Sequence, residues 1–344
     1  MRTNDWRRLY RSRPREDDVE TDFAYSPRTD LALERHELAK RMQPKIPGVV
    51  EEKEALDGIT VSRMKVTSAA GEKAIGKKRG QYITLEVPGL RHRDPRLQDR
   101  VVDQLEIEFG TLLDLPRHAS VLVIGLGNEH VTPDALGPKV VERLFVTRHL
   151  FPYMPELKQQ GYRTVAALSP GVLGVTGIET SEIVKGTVEH VKPDVVIAID
   201  ALASRSLSRV NSTIQIADTG ISPGAGVGNK RKALDEDTLG CKVYAVGVPT
   251  VVDAATIAND AMDLVLGQLR ASVPNNSASQ LFDQFEDTER WQMIREVLDP
   301  LGNNLMVTPK EIDEFVDDVA DVVARGLNLA LHPAMAEAEP PVSH

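Results

Sequence analysis

Cysteine occurs once in 344 residues, at Cys241. That excludes an internal disulfide framework and a zinc site built from several cysteines, and a lone thiol suits a reducing compartment. No stretch of about 18 apolar residues is present, so the sequence offers no membrane-spanning helix. The N-terminal segment carries Arg7 and Arg8 in tandem, but no apolar stretch follows them and twin-arginine export is rejected. Basic residues are outnumbered, 41 Lys plus Arg against 51 Asp plus Glu, and the net charge of -10 argues against a direct nucleic-acid partner. No internal repeat is visible.

Hydrophobic residues at 41% and charged residues at 27% sit near the globular average, in a chain long enough for a sizeable core. Residues 1–25 are charged and aperiodic. Leu31–Met42 has a short helical pattern, while Ile59–Val66 and Gln81–Val87 alternate like half-buried strands on either side of a turn-rich basic stretch at 70–80. With the helical spacing of Pro95–Leu115, these elements read as a lid or flank. Ser120–Gly125, Thr164–Leu168, Val195–Asp200 and Val243–Val248 are short apolar runs of the kind covered on both faces. Helical patterns at Ala135–Leu150, Ser181–Val191 and Val251–Leu269 lie between or after them, and Val210–Ile216 reads as an edge strand. This alternation predicts a doubly wound, mostly parallel α/β sheet, with N-terminal strands and a helix, and C-terminal helices, packed on it. The expected division is 1–30 as a separate N-terminal segment, 31–271 as core with flank, 272–287 as linker, 288–332 as C-terminal helices and 333–344 as a frayed tail. The last long helix is expected to start at Thr308 as N-cap, with Pro309 in its first turn.

In such sheets reacting groups gather at the carboxyl ends of the strands. One run is followed by Gly125-Leu-Gly-Asn128, His130 and Asp134, another by Asp200, so two carboxylates leave one edge. Two carboxyls sharing a partly apolar cleft do not both ionise easily; one keeps its proton, the other acts as base, and with a water that suffices to hydrolyse an amide. The competing reading is that each aspartate caps the turn or helix that follows it. A dinucleotide fingerprint fails at its third glycine, where His130 stands, and Pro223–Lys232 departs from a phosphate loop at Asn229 and Arg231. That loop can instead cradle an acidic side chain through its backbone, Lys230 and Arg231, or simply be solvated. The glycine-rich run 170–180, which holds Glu179, suits close approach of a peptide backbone, or is ordinary turn chemistry. His130, Glu179 and Asp253 are conceivable metal ligands beside Asp134 and Asp200, though no close-set motif supports them. No Gly-x-Ser-x-Gly elbow occurs, and Cys241 reads as packing.

At these residues the chain resembles the germination protease family of spore-forming bacteria, endopeptidases that degrade small acid-soluble spore proteins. The resemblance is carried by Arg28-Thr-Asp-Leu-Ala-Leu-Glu34, Gly125-Leu-Gly-Asn128, Val131-Thr-Pro-Asp-Ala-Leu-Gly-Pro138, the run Ser169 to Thr180, Ala198-Ile-Asp-Ala-Leu-Ala203, the stretch Asp218 to Lys232, Gly247-Val-Pro-Thr-Val-Val-Asp253 and the run Leu301 to Lys310. It covers about Arg28 to His332. It implies a fold like that of hydrogenase-maturation endopeptidases, a homotetramer, a cytoplasmic location in the spore core, no membrane partner, and synthesis as a zymogen. It also implies an atypical aspartic mechanism without cofactor, in which the matching residues are Asp134 and Asp200. Glu179, Lys230 and Arg231 are expected to bind substrate. Family substrates are cut after an acidic residue, in the pattern acid, large apolar, Ala, any, Glu. Asp30-Leu-Ala-Leu-Glu34 fits that pattern, so self-cleavage between Asp30 and Leu31 is expected, with 1–30 as propeptide. Two alternatives remain: a metal-assisted endopeptidase of the hydrogenase-maturation type, and a non-catalytic binder of acidic peptides.

Overall fold

The computed structural model describes residues 28–224, 232–272, 293–294, 296–298 and 305–338. Its strands are β1 (Val49–Leu56), β2 (Ile59–Val66), β3 (Gly80–Glu86), β4 (Ser120–Gly125), β5 (Thr164–Leu168), β6 (Val195–Ser204), β7 (Thr213–Ala217), β8 (Lys242–Asp253) and β9 (Met306–Val307). The helices are α1 (Ala32–Met42), α2 (Ala69–Ile75), α3 (Pro95–Leu113), α4 (Leu136–Glu142), α5 (Glu156–Gln159), α6 (Leu173–Thr176), α7 (Thr180–Val191), α8 (Glu236–Leu239), α9 (Ala254–Ser272), α10 (Ile312–Leu331) and α11 (Pro333–Ala338). All the described strands join one sheet in the order β1-β2-β3-β7-β8-β6-β4-β5, with β9 on β8. Pairing is parallel across β5-β4-β6-β8, the runs whose side chains are apolar on both faces, and antiparallel across β8-β7-β3-β2-β1.

Helices cover both faces, so the architecture is doubly wound α/β. On one face, α3, α4 and α10 bury Val101, Leu105 and Phe109 with Val316, Val323 and Leu327 against β4, β6 and β8. Asp94 starts α3 by accepting the Arg96 N–H at 3.0 Å, with Pro95 in the first turn, where a missing N–H costs nothing. Gly326 lets α10 approach α3 closely, since a Cβ there would lie 2.7 Å from Leu105 Cβ. On the opposite face, α7 and α8 pack Val184, Val188 and Leu239 over Leu122, Ile124 and Val196, while Ala32 of α1 and Ile75 of α2 lie with Met64, Tyr82 and Ala245. None of the described helices is long and apolar enough to cross a membrane.

The structure departs from the sequence reading where polar residues sit inside paired elements. The N-terminal flank is an extension of the same sheet. Its first strand, β1, was hidden by the charged Glu51-Glu-Lys-Glu54, although the two-residue turn Asp57-Gly58 closes a hairpin onto β2. The basic stretch 70–80 contains α2, capped by Ser68 and ended by Gly76. The strand expected at the edge, Val210–Ile216, lies inside the sheet between β3 and β8 and begins only at Thr213, because Asn211 turns the chain with φ 52. The helix expected over Ala135–Leu150 ends at Glu142; beyond it the Thr147 and Arg148 N–H groups both bond the Val165 carbonyl. β6 and β8 run past Asp200 and Val248, pairing to Ser204 and Val252. α10 begins at Ile312, not Thr308, whose hydroxyl donates to the Thr250 carbonyl at 2.9 Å. Residues 333–338 form a helical turn. Of the helix expected at 288–298, residues 293–294 and 296–298 are described and are helical, and the linker at 273–287 lies outside the described residues.

Candidate active site

Parallel pairing sets Gly125 of β4 beside Ile199 of β6, so the loop leaving β4 starts next to Asp200. Its first peptide is tied there, the Leu126 N–H donating to the Ile199 carbonyl at 2.8 Å. Asp200 is 6% exposed and lies within β6 rather than beyond it. Across the sheet it registers with Gly247 of β8, and Gly247 with Gln215 of β7, so these three share one face. Gly247 leaves room there for Leu202, whose Cδ1 would lie 2.4 Å from an added Cβ.

The Gly125-Leu-Gly-Asn128 loop is built for contact between backbones. A Cβ on Gly125 would lie 2.3 Å from the Gly137 carbonyl oxygen, and one on Gly137 equally close to that of Leu126. Gly127, at φ 114, would bring its Cβ to 1.9 Å from the Asp134 carbonyl oxygen. α4 thereby packs directly on the end of β4, and Asp134 folds back over the loop with its Oδ2 accepting the Asn128 N–H at 2.8 Å. The Thr250 hydroxyl fixes the same turn to β8 by donating to the Pro133 carbonyl at 2.6 Å.

Asp134 and Asp200 line one cleft of about 420 Å³, together with Asp30, Pro133, Thr180 and Thr250. Asp30 and Asp200 also wall an adjoining recess of about 190 Å³ that holds Lys77, Tyr82 and Gln215. Asp30 is clipped to the extended part of β6: its N–H donates to the Ala203 carbonyl and its Oδ2 accepts the Ala203 N–H, both at 2.9 Å. Its carbonyl accepts from Lys77 Nζ at 2.6 Å and faces Gln215 Nε2 at 3.5 Å, while Gln215 Oε1 accepts the Ala32 N–H at 2.7 Å. Burial presses the Lys77 pKa below its usual value, with the Asp30 charge opposing.

The residues that follow are anchored more deeply. Leu31 is fully buried, worth about 1.5–3 kcal/mol for such a side chain. The Glu34 carboxylate accepts the Arg205 N–H at 2.6 Å, the Ser206 N–H at 3.0 Å and the Thr29 hydroxyl, and lies 3.3 Å from an Arg209 nitrogen. Burial works against the Arg209 charge, but Glu37 and Glu86 outweigh it and raise its pKa.

Of the other candidates, Glu179, His130 and Asp253 do not line this cleft. Glu179 is half-buried at the N-cap position of α7 without capping it; its neighbour Thr180 lines the cleft instead. His130 is exposed beside Glu129. Asp253 accepts the Ala255 N–H at 2.9 Å at the start of α9 and lies 3.9 Å from Arg28 Nε. Among the described residues, no three His, Cys, Asp or Glu side chains form a group able to hold a metal ion. Cys241 packs against the cluster under α7 and α8, with burial raising its thiol pKa. Lys230 and Arg231 lie outside the described residues; Pro223 and Gly224, which lead toward them, line the cleft. Sequence reasoning passed over Lys77, Gln215 and Arg209. Gln215 alone left a signal, a buried polar residue between Ile214 and Ile216.

Comparison with known proteins matches two overlapping ranges of the chain, residues 27–281 and 272–341, to the family model described as germination protease. A germination protease of Bacillus licheniformis is 48% identical over 91% of this chain and 95% of its own length. Those of Bacillus subtilis, at 48% identity, and Bacillus cereus, at 47%, align over 91% and 90% of this chain and 95% and 94% of their own.

Proposed function

The chain belongs to the germination protease family, and we propose that it is an endopeptidase that cuts after acidic residues of small acid-soluble spore proteins in the spore core, using Asp134 and Asp200 to activate water. The observation that carries this reading is the meeting of both aspartates with Asp30 in one cleft. One carboxylate takes a proton from water as its oxygen attacks the peptide carbonyl, and the other, as the acid, protonates the leaving nitrogen. The same arrangement supports self-processing between Asp30 and Leu31. The acid, apolar, Ala, any, Glu stretch begins in the cleft at Asp30 and continues through buried Leu31–Leu33 to Glu34, which sits on backbone N–H groups near Arg209. In this reading 1–30 is a propeptide, the chain assembles as a homotetramer, and no metal takes part in the reaction.

The test uses the full chain, wild type against Asp134→Asn and Asp200→Asn, each with and without chelator. The readouts are the Asp30–Leu31 bond, by mass spectrometry, and a peptide containing Glu-Ile-Ala-Ser-Glu. Cleavage of both that disappears in each variant and ignores chelator is the expected result. Loss with chelator and recovery with added metal overturns the aspartate mechanism, and saturable peptide binding without cutting leaves a binder.

A further inference from the structure

The peptide bond between Asp30 and Leu31 presents its carbonyl oxygen to two donors, Lys77 Nζ at 2.6 Å and Gln215 Nε2 at 3.5 Å. Local structure holds both. Lys77 follows the left-handed Gly76 that caps α2, so the chain turns there and brings the ammonium to the recess beside Asp30. Gln215 is 9% exposed on β7, beside the side-chain-free Gly247. Its Oε1 is committed to the Ala32 N–H, which orients the amide so that Nε2 faces the Asp30 oxygen. The Asp30 side chain is already held by the Ala203 N–H, so the contact that Lys77 makes is with the carbonyl.

Resting on the peptidase reading above, the geometry points to Lys77 and Gln215 as catalytic residues that stabilise the oxyanion formed on the acidic residue's carbonyl, in self-processing and again when a substrate takes the place of Asp30. In that step the water oxygen bonds to the carbonyl carbon, its proton passes to one aspartate, and the carbonyl electron pair moves onto the oxygen. The carbon–nitrogen bond then breaks, the nitrogen takes a proton from the other aspartic acid, and the oxygen returns to a double bond in the new carboxyl group. Lys77 and Gln215 donate hydrogen bonds throughout and keep their protons. A positive donor fixed in a partly enclosed recess gains most as charge develops on the oxygen, which lowers the barrier rather than merely tightening binding. The lowered Lys77 pKa agrees with such a desolvated position.

The full chain is compared with Lys77→Met, Lys77→Arg and Gln215→Met. The rate of Asp30–Leu31 cleavage, kcat and KM on the Glu-Ile-Ala-Ser-Glu peptide, and the urea midpoint are measured for each. Removal of either donor is expected to lower the self-processing rate and kcat by about 100-fold, with KM changed by less than about threefold, and Lys77→Arg is expected to recover part of the loss. Should Lys77→Met fail to fold, Gln215→Met, which nearly keeps its shape, carries the test. Folded variants that cut at the parental rate overturn the inference and leave the peptidase reading standing. A loss confined to KM overturns it too, making the pair a docking contact. A wild-type chain that cuts neither itself nor the peptide overturns the peptidase reading first.

Discussion

Gly127→Ala tests whether the loop that holds Asp134 owes its shape to contact between backbones. The added methyl carbon would lie 1.9 Å from the Asp134 carbonyl oxygen and 3.2 Å from its Oδ1, at a φ of 114 that side chains rarely adopt. Contacts of this kind do not fall below 3.0 Å, so the two must separate by at least 1.1 Å, the difference between 3.0 and 1.9. Such a shift strains the Asn128 N–H bond to Asp134 and the Thr250 bond to Pro133. The backbone conformation costs about 1–3 kcal/mol and the overpacking about 1–3 more, so urea unfolding should show about 2–6 kcal/mol lost. A reacting group misplaced by about 1 Å loses about 100-fold in rate, so peptide cleavage should fall by that much in molecules still folded. Gly110→Ala is the control, since its added Cβ meets nothing within 4 Å in α3 and should gain about 0.5–1 kcal/mol. A Gly127→Ala chain with parental stability and a parental kcat would refute the argument that this glycine positions the aspartate.

Arg209→Met should destabilise the chain by about 3 kcal/mol in urea, because it leaves the buried Glu34 without its nearby cation; an unchanged midpoint would show that the backbone N–H groups alone hold that carboxylate. His36 and His332 both have lowered pKa values, chiefly through burial. The unfolded chain therefore takes up protons near 6.5 that the folded chain accepts only at lower pH, so stability should decline as pH drops below 6.5. His332→Gln should flatten part of that decline in a melting-temperature series, and a slope identical to wild type would remove His332 from the account. Asp317 is held below the usual 3.8 by its hydrogen bond from Lys139, with burial opposing and the Arg143 charge assisting. It adds stability at neutral pH that disappears as pH falls through its folded pKa, so Asp317→Asn should melt lower than wild type near neutrality, with the gap closing in acid.

Apolar runs told the sequence reading where β4 and β5 lie, with their observed limits. Where a carboxylate interrupted a run, the strand looked finished too soon. Asp200 followed by alternating alanines reads as the end of β6, yet four more residues pair with β8, and the ledge that holds Asp30 is made from that extension. The two aspartates were legible as strand-end carboxylates, whereas Lys77 was one of three consecutive basic residues with nothing local to single it out. What separates it from Lys78, which pairs with Asp235 at 2.7 Å, is the turn at Gly76 and the distant position of residue 30. Such long-range placement leaves no periodicity in the sequence. The Gly125-Leu-Gly-Asn128 loop was legible as special but not as to cause: its glycines serve the packing of α4 on β4.

The two sides of the Asp30–Leu31 bond are held very unequally, and that inequality bears on what processing would release. After the bond come Leu31, Ala32 and Leu33, all buried, and Glu34 with its N–H donors, continuing without a break into α1. On the other side the described residues are held by the Ala203 pair, by Lys77 on the Asp30 carbonyl, by Arg35 on the Thr29 carbonyl, by Thr29 against Glu34 and by the long contact of Arg28 with Asp253. Burial of three apolar side chains, together with the Glu34 bonds, outweighs a handful of hydrogen bonds each worth about 1 kcal/mol net. A cut at this bond would therefore leave α1 in place and let the preceding segment depart, freeing the Ala203 N–H, Lys77 and Gln215 together. Those are the groups that touch an acidic residue and its carbonyl, so the vacated slot would select the residue before the cut. The slots beyond the cut would stay filled by the chain's own Leu31 to Glu34. Selection there requires either displacement of that segment or contacts elsewhere along the cleft, where Val131, Val172 and Thr180 form an open wall. A peptide truncated after its large apolar residue discriminates between these: if α1 stays in place, losing the Ala, any, Glu positions changes kcat/KM by less than about threefold, whereas displacement of Leu31 to Glu34 makes cleavage depend on them by about the 10-fold that one hydrogen bond to a charged group represents.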